Sequence, residues 1–187
     1  VPITQLDNTT ALIVIDLQKG IIGLAAEDKM RPVVQNAARL TTAFRQHGVP
    51  VVLVHVEPRP LGRTERAPPI RDLPPDFAEL LPELNQQPTD HLVTKRSWGA
   101  FMNTGLDAHL KQCGVTQIVL AGVSTSIGVE STARQAFEHG YHVTLATDAM
   151  ADLNDDAHTN SVTRIFPRLG ETGTTLDIVH LLDSRST

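Results

Sequence analysis

Ala11-Leu12-Ile13-Val14-Ile15-Asp16 is an unbroken apolar run, partly β-branched, that ends in a carboxylate. A run of this length without polar alternation is the pattern of a strand buried on both faces of a parallel sheet. Pro32 suits the first turn of a helix, and behind it Val33, Val34, Ala37, Ala38, Leu40 and Phe44 recur at helical spacing until Gly48. Val49-Pro50-Val51-Val52-Leu53-Val54-His55 reads as a second buried strand, with Pro50 tolerated near its start. Strand, helix and strand in this order make a right-handed βαβ unit.

The pattern continues outward from that unit. His91 to Thr94 reads as a third strand running into Lys95, and Thr104 is expected to cap a helix with Asp107 three residues on and Gly114 closing it. Gln117 to Gly122 is a fourth strand; Ser124 to Ser126 lead into a helix that carries Val129, Ala133, Ala136 and Phe137 on one face and ends at Gly140. His142 to Ala146 is a fifth strand ending near Asp148, Asn154 caps a helix to about Phe166, and Glu171 to Thr175 form a short sixth strand before a helix from Leu176. The chain is therefore expected to be a single α/β domain over residues 1–187, a mostly parallel, Rossmann-like sheet of five or six strands with helices on both faces. Residues 58–88 hold eight of the twelve prolines and are expected to form a long excursion, either a lid or subunit contact or an ordered surface arm, with two helical turns at Phe77 to Leu84.

Composition narrows the function classes. Hydrophobic residues at 41% and charged residues at 20% supply a sizeable core, and the mild net charge of -5 has no basic block to hold nucleic acid phosphates. The longest apolar runs fall far short of the roughly 20 residues that cross a bilayer. The single cysteine, Cys113, forms no internal disulfide, and residues 1–5 carry no secretory pattern, so a reducing, cytoplasmic setting is expected.

In an open parallel sheet, ligands bind beyond the carboxyl ends of the strands. Asp16, His55, Lys95 and the turn from Val123 to Gly128 all stand at such ends and are expected to share one cleft.

Three of these segments carry a resemblance. Ala11 to Gln18, Lys95-Arg96-Ser97-Trp98-Gly99-Ala100-Phe101, and Gly122-Val123-Ser124-Thr125-Ser126-Ile127-Gly128-Val129-Glu130-Ser131-Thr132-Ala133 resemble, in order and spacing, segments of the isochorismatase-like (cysteine hydrolase) superfamily. The resemblance implies the isochorismatase-like fold, a catalytic role for Asp16 and Lys95, and a cis peptide between Val123 and Ser124. Members that hydrolyse amides, such as nicotinamidases, place a nucleophilic cysteine where this chain has Gly128. True isochorismatases are similar to this chain in lacking it, and they cleave a vinyl ether by proton transfer and water addition. The implied chemistry is acid/base hydrolysis without a covalent thioester, on a small carboxylate- or ether-containing substrate. Asp16 would move the proton, Lys95 would stabilise negative charge, and backbone N–H groups at Gly128 would receive an oxyanion. Gln18, His55, Trp98, Val123, Ser124 and Ile127 are expected to contact substrate. The competing expectation is a catalytically silent small-molecule binding or interaction protein that keeps the fold.

No cofactor or metal is expected, because His55-Val56-Glu57-Pro58 lacks the D-x-H pattern of metal-binding relatives. The other histidines, His158 among them, read as surface positions, so no histidine base is expected beside the hydroxyls of the turn. Cys113 lies at the wrong edge of the sheet for chemistry. Asp152, Asp155 and Asp156 read as a helix N-terminal charge cluster. A homodimer or homotetramer is expected from the family, with a small molecule as the other partner.

Overall fold

The computed structural model describes residues 2–57, 63–65 and 73–186. Its strands are β1 (Thr10–Ile15), β2 (Val51–Val56), β3 (His91–Lys95), β4 (Gln117–Val123), β5 (His142–Ala151) and β6 (Glu171–Gly173). They form a 6-stranded sheet of order β3-β2-β1-β4-β5-β6, with every pairing parallel. The chain winds outward from β1 to β3, then returns to lay β4 on the other side of β1. That reversal, between the ends of β1 and β4, is the position at which open parallel sheets bind ligands.

The helices are α1 (Lys19–Ile22), α2 (Glu27–Gln46), α3 (Leu106–Gln112), α4 (Glu130–Glu138), α5 (Asp155–Asn160) and α6 (Thr175–Asp183). Leu12 and Val14 of β1 pack with Val33, Ala37, Leu40 and Phe44 of α2 and with Ile178 and Leu182 of α6. Ala11, Ile13 and Ile15 point the other way, onto Leu106 and Leu110 of α3 and Ala133 and Ala136 of α4. Both faces of β1 are thus covered and all its residues are buried, which explains a run without alternation.

Several local expectations are corrected. α2 starts at Glu27, so Pro32 lies inside the helix, with an exposed ring, and not in its first turn. Residues 27–31 are mostly polar and carry little of the apolar recurrence that marks the rest. Gly105 caps α3, not Thr104, and Asp107 turns its carboxylate to Lys111 and Tyr141. Phe137 leaves the packed face of α4 and is 52% exposed. Helical turns over Phe77 to Leu84 do not form beyond a 3-10 turn at Pro82–Leu84. The backbone there bonds instead to the exit of β1: Lys19 N–H donates to Glu79 O, Gly20 N–H to Phe77 O and Leu81 N–H to Leu17 O, at 2.9–3.0 Å. Residues 58–62 and 66–72 of the proline-rich arm lie outside the described residues.

β5 runs past Asp148 to Ala151. It pairs with β4 up to Leu145 and again at Met150 and Ala151, with an irregularity between. The polar Thr147-Asp148 pair that suggested a strand end sits in that irregularity, where Asp148 accepts bonds from the Thr175 N–H and hydroxyl at 2.7 and 2.9 Å. Asn154 caps α5 by accepting from the Ala157 N–H, but regular helix stops at Asn160 and continues as a π turn and a 3-10 turn to Arg168. α6 begins at Thr175 behind a capping box of Thr174 and Asp177. Among the described residues, no helix is long and apolar enough to cross a membrane.

One glycine controls how closely β4 approaches β1. Gly122 has φ +117, and a Cβ there would lie 2.0 Å from the Ile15 carbonyl oxygen. Gly114 also has positive φ but faces open space. Gly122→Ala is expected to lower stability by at least about 3 kcal/mol, strain and overpacking combined, and Gly114→Ala by only about 1 kcal/mol. Urea unfolding midpoints at unchanged slope check this; equal losses for the two would show that the approach of Gly122 to Ile15 sets nothing.

Candidate active site

β1 ends at Ile15, and Asp16 turns the chain off the sheet in the left-handed region, φ +52, while its N–H still donates to Val54 O at 2.9 Å. Aspartate tolerates this conformation better than most residues. Lys95 ends β3, two strand positions away, roughly 10 Å. Its long side chain crosses that gap, and Nζ lies 2.7 Å from Asp16 Oδ2. Nζ also donates to Ser97 O at 3.1 Å. Asp16 is 6% exposed and Lys95 2%, so the two charges meet inside the protein.

The turn after β4 supplies the third side. The Val123–Ser124 peptide is cis, as the resemblance implies. A π turn over Thr125–Val129 then leads into α4. Gly128 in this turn is buried, and a Cβ built on it would sit 3.2 Å from Asp16 Oδ2 and 2.9 Å from Ile15 Cγ2. The site therefore brings together Asp16, Lys95 and Gly128, from three separate segments.

Burial pushes the Asp16 carboxyl up to about 6, against the Lys95 ammonium at contact distance and, more weakly, His55, which both pull it down. Asp16 Oδ2 is held by Lys95, but Oδ1 is buried with no hydrogen-bond partner among the described residues. A buried oxygen left without a partner is costly, and such atoms mark places where a ligand or a proton belongs.

The expected contact residues separate. Val123 and Ser124 flank the cis bond, Ser124 partly exposed, and Ile127, beside Gly128, is 40% exposed. Trp98 stands outside any packed core, 63% exposed, three residues beyond Lys95, whereas Phe101 is buried against the rings of His139 and Tyr141. Gln18 is fully buried and its amide is spent on backbone: Nε2 donates to Val56 O and Phe77 O, and Oε1 accepts from the Val56 N–H. It ties the exits of β1 and β2 to the arm and has no group left for a ligand. His55 is likewise occupied, with Nδ1 at 2.9 Å from Ala78 O and Nε2 at 2.7 Å from Thr94 Oγ1.

Two further residues brace the turn. Asp152, 4% exposed, accepts from the Ser126 N–H and hydroxyl, both at 2.7 Å, and from the Asn154 N–H. It is not part of a helix charge cluster with Asp155 and Asp156. His158 of α5 is not a surface histidine: Nδ1 lies 2.8 Å from the Oγ1 of fully buried Thr125. Burial holds its ring below the usual histidine range. The extended reach of β5 is what carries Asp152 to Ser126, and no local signal near residue 152 announces it. Cys113 is exposed at the end of α3, at the opposite edge. Among the described residues, no group of three or more His, Cys, Asp or Glu side chains has the arrangement to hold a metal ion.

Because the folded value of Asp16 lies above the unfolded one of 3.8, the native state binds more protons between about 4 and 6. This group's contribution to stability is therefore present below about 4 and lost as pH rises through about 6. Carbon-13 NMR of the aspartate carboxyls is expected to show Asp16 titrating near 6, and higher still in Lys95→Met, where the ammonium no longer opposes burial. An unshifted Asp16 midpoint would overturn this account of the pair.

Comparison with known proteins agrees with the geometry. The isochorismatase domain family matches residues 10–177. An uncharacterized isochorismatase family protein of Bacillus subtilis (strain 168) is 42% identical over 180 residues, covering 89% of this chain and 90% of that protein. Nicotinamidase 3 of Arabidopsis thaliana is 33% identical over 156 residues, covering 79% of this chain and 76% of that protein. Among solved structures, an isochorismatase family protein of Burkholderia thailandensis superposes with a TM-score of 0.88 at 41% identity, covering 96% of this chain and 98% of that one. A six-stranded parallel sheet, the sequence match along nearly its whole length and the superposition leave one conclusion: the chain belongs to the isochorismatase family, whose members are hydrolases.

Proposed function

We propose that this chain is a hydrolase of the branch with glycine in place of the nucleophilic cysteine, working by acid/base chemistry without a covalent thioester on a small carboxylate- or ether-containing substrate. The observation that carries the reading is the buried Asp16 carboxylate, whose Oδ1 has no partner among the described residues and whose Oδ2 stands beside a turn position that bears no side chain. Two hydroxyls of the turn are engaged elsewhere: Thr125 is fully buried against His158, and Ser126 Oγ donates to Asp152. With its carboxyl near 6, Asp16 is mostly ionised at neutral pH and acts first as a base. It takes a proton from water as the water oxygen adds to the electrophilic carbon, then returns that proton to the leaving atom as its bond breaks. Lys95 and the Gly128 N–H stabilise the negative charge that develops between these steps, the Ser126, Ile127 and Val129 N–H groups being already donated to Asp152 and to Ser124 O.

Asp16→Asn keeps the shape of the site but removes the base. Turnover is expected to fall by about 10²- to 10⁴-fold, with binding of a small carboxylate retained. In the wild type, kcat/KM is expected to drop on the acid side of a limb near pH 6. A screen of small ethers, esters and amides bearing a carboxylate supplies the substrate. Binding without turnover in the wild type would overturn the reading in favour of a silent binding protein, and full activity in Asp16→Asn would overturn the role of Asp16 as the base.

A further inference from the structure

The turn between Val123 and Val129 is held from outside by two contacts that the chemistry above does not use: Ser126 with Asp152, and Thr125 with His158. The second has a direction that the surroundings decide. Thr125 Oγ1 is buried, and its one hydrogen-bond partner among the described residues is His158 Nδ1. If Nδ1 carried a proton and donated, the threonine hydroxyl proton would be left without an acceptor in the interior, at a cost of about 1–3 kcal/mol. The hydroxyl therefore donates, and the ring proton sits on Nε2. Protonating the ring would set two donors face to face.

We propose that His158 is a positioning residue of this site: as the Nε2–H tautomer it accepts the Thr125 hydroxyl proton and so holds the turn that presents Gly128 to Asp16. The proposal rests on the reading of that turn as the receiver of negative charge. Besides Thr125, the charged groups that face the ring are Asp152 at the end of β5, Asp155 on α5 itself and Lys29 of α2. Asp152 and Asp155 favour a charged ring, whereas burial and Lys29 oppose it.

The test uses the whole chain, labelled with nitrogen-15, and needs no substrate. All samples carry Asp16→Asn, so that the titration of Asp16 does not move the nearby amides. Long-range proton–nitrogen spectra of the imidazole at pH 7.5 are expected to show the Nε2–H pattern. The amide shifts of Ser126 to Val129 are expected to follow the His158 midpoint. Thr125→Val should raise that midpoint and uncouple the turn amides from it. His158→Leu is expected to speed hydrogen exchange of the turn amides at least tenfold relative to those of β1, and His158→Asn, which keeps an acceptor near the place of Nδ1, to restore them. An Nδ1–H tautomer, or turn amides that ignore the protonation of His158, would overturn the proposal. Neither readout depends on turnover, so such a result would leave the acid/base reading standing, and loss of that reading would leave these spectra unchanged.

Discussion

The constraint on which this structure depends is the burial of two opposite charges in contact, Asp16 and Lys95, 2.7 Å apart and almost without solvent. Removing each ion from water costs several kcal/mol, and their attraction offsets this only if the geometry is good and the remaining polar atoms are met. Here Nζ is met twice, by Asp16 Oδ2 and Ser97 O, whereas the carboxylate is met on one oxygen only. The imbalance falls wholly on Asp16, and that is why burial prevails over the ammonium in setting its proton affinity. A buried pair adds little to stability for its expense. What the parallel sheet supplies is the framework that makes it possible: β3, β2 and β1 end together, so a lysine from one reaches an aspartate from another without moving the backbone.

Ile15, the last residue of β1, is the hinge between this pair and the turn. Its backbone stands against Gly122, which has no Cβ to hold the strands apart, and its Cγ2 stands 2.9 Å from where a Cβ of residue 128 would be. The two glycines therefore both stand against one isoleucine, Gly122 against its backbone and Gly128 against its side chain. The close approach of Gly122 draws the following turn over Asp16, and the wall formed by Ile15 is fitted to a residue without a side chain at 128. A thiol set there by substitution alone would have to displace that wall by a few tenths of an ångström before it reached the position beside Oδ2.

Much of this was legible in the sequence, and what was not has a common cause. The strands followed from apolar runs bounded by glycines and charges, and Asp16, Lys95 and Gly128 from their place at strand ends together with three family-like segments; the order of the strands in the sheet did not. Those are local signals. Gln18 was misread because its position after the first strand suggests a cleft, whereas its amide is satisfied by Val56 and Phe77, partners 38 and 59 residues away. His158 and Asp152 were misread for the same reason: neither stands in a pattern, and both acquire their roles only when β5 extends through an irregularity beyond Asp148 and α5 folds back onto the turn. Hydrogen bonds between distant segments leave no periodicity behind.

The proton affinity of Asp16 shows why the same burial can serve both structure and chemistry. In water an aspartate is too weak a base to take a proton from an attacking water, and a lysine at contact distance makes it weaker still. Burial reverses that order, and a carboxyl near 6 has both of its forms populated around neutrality, the condition under which one group can accept a proton in one step and return it in the next. On the proposed chemistry, a chain without a thiol at residue 128 has no covalent intermediate through which to divide the reaction, so the demand on this one carboxyl is larger. In the acid/base reading, the unpartnered Oδ1 is the atom that meets that demand, because Lys95 occupies the other oxygen and no neighbouring donor competes for it.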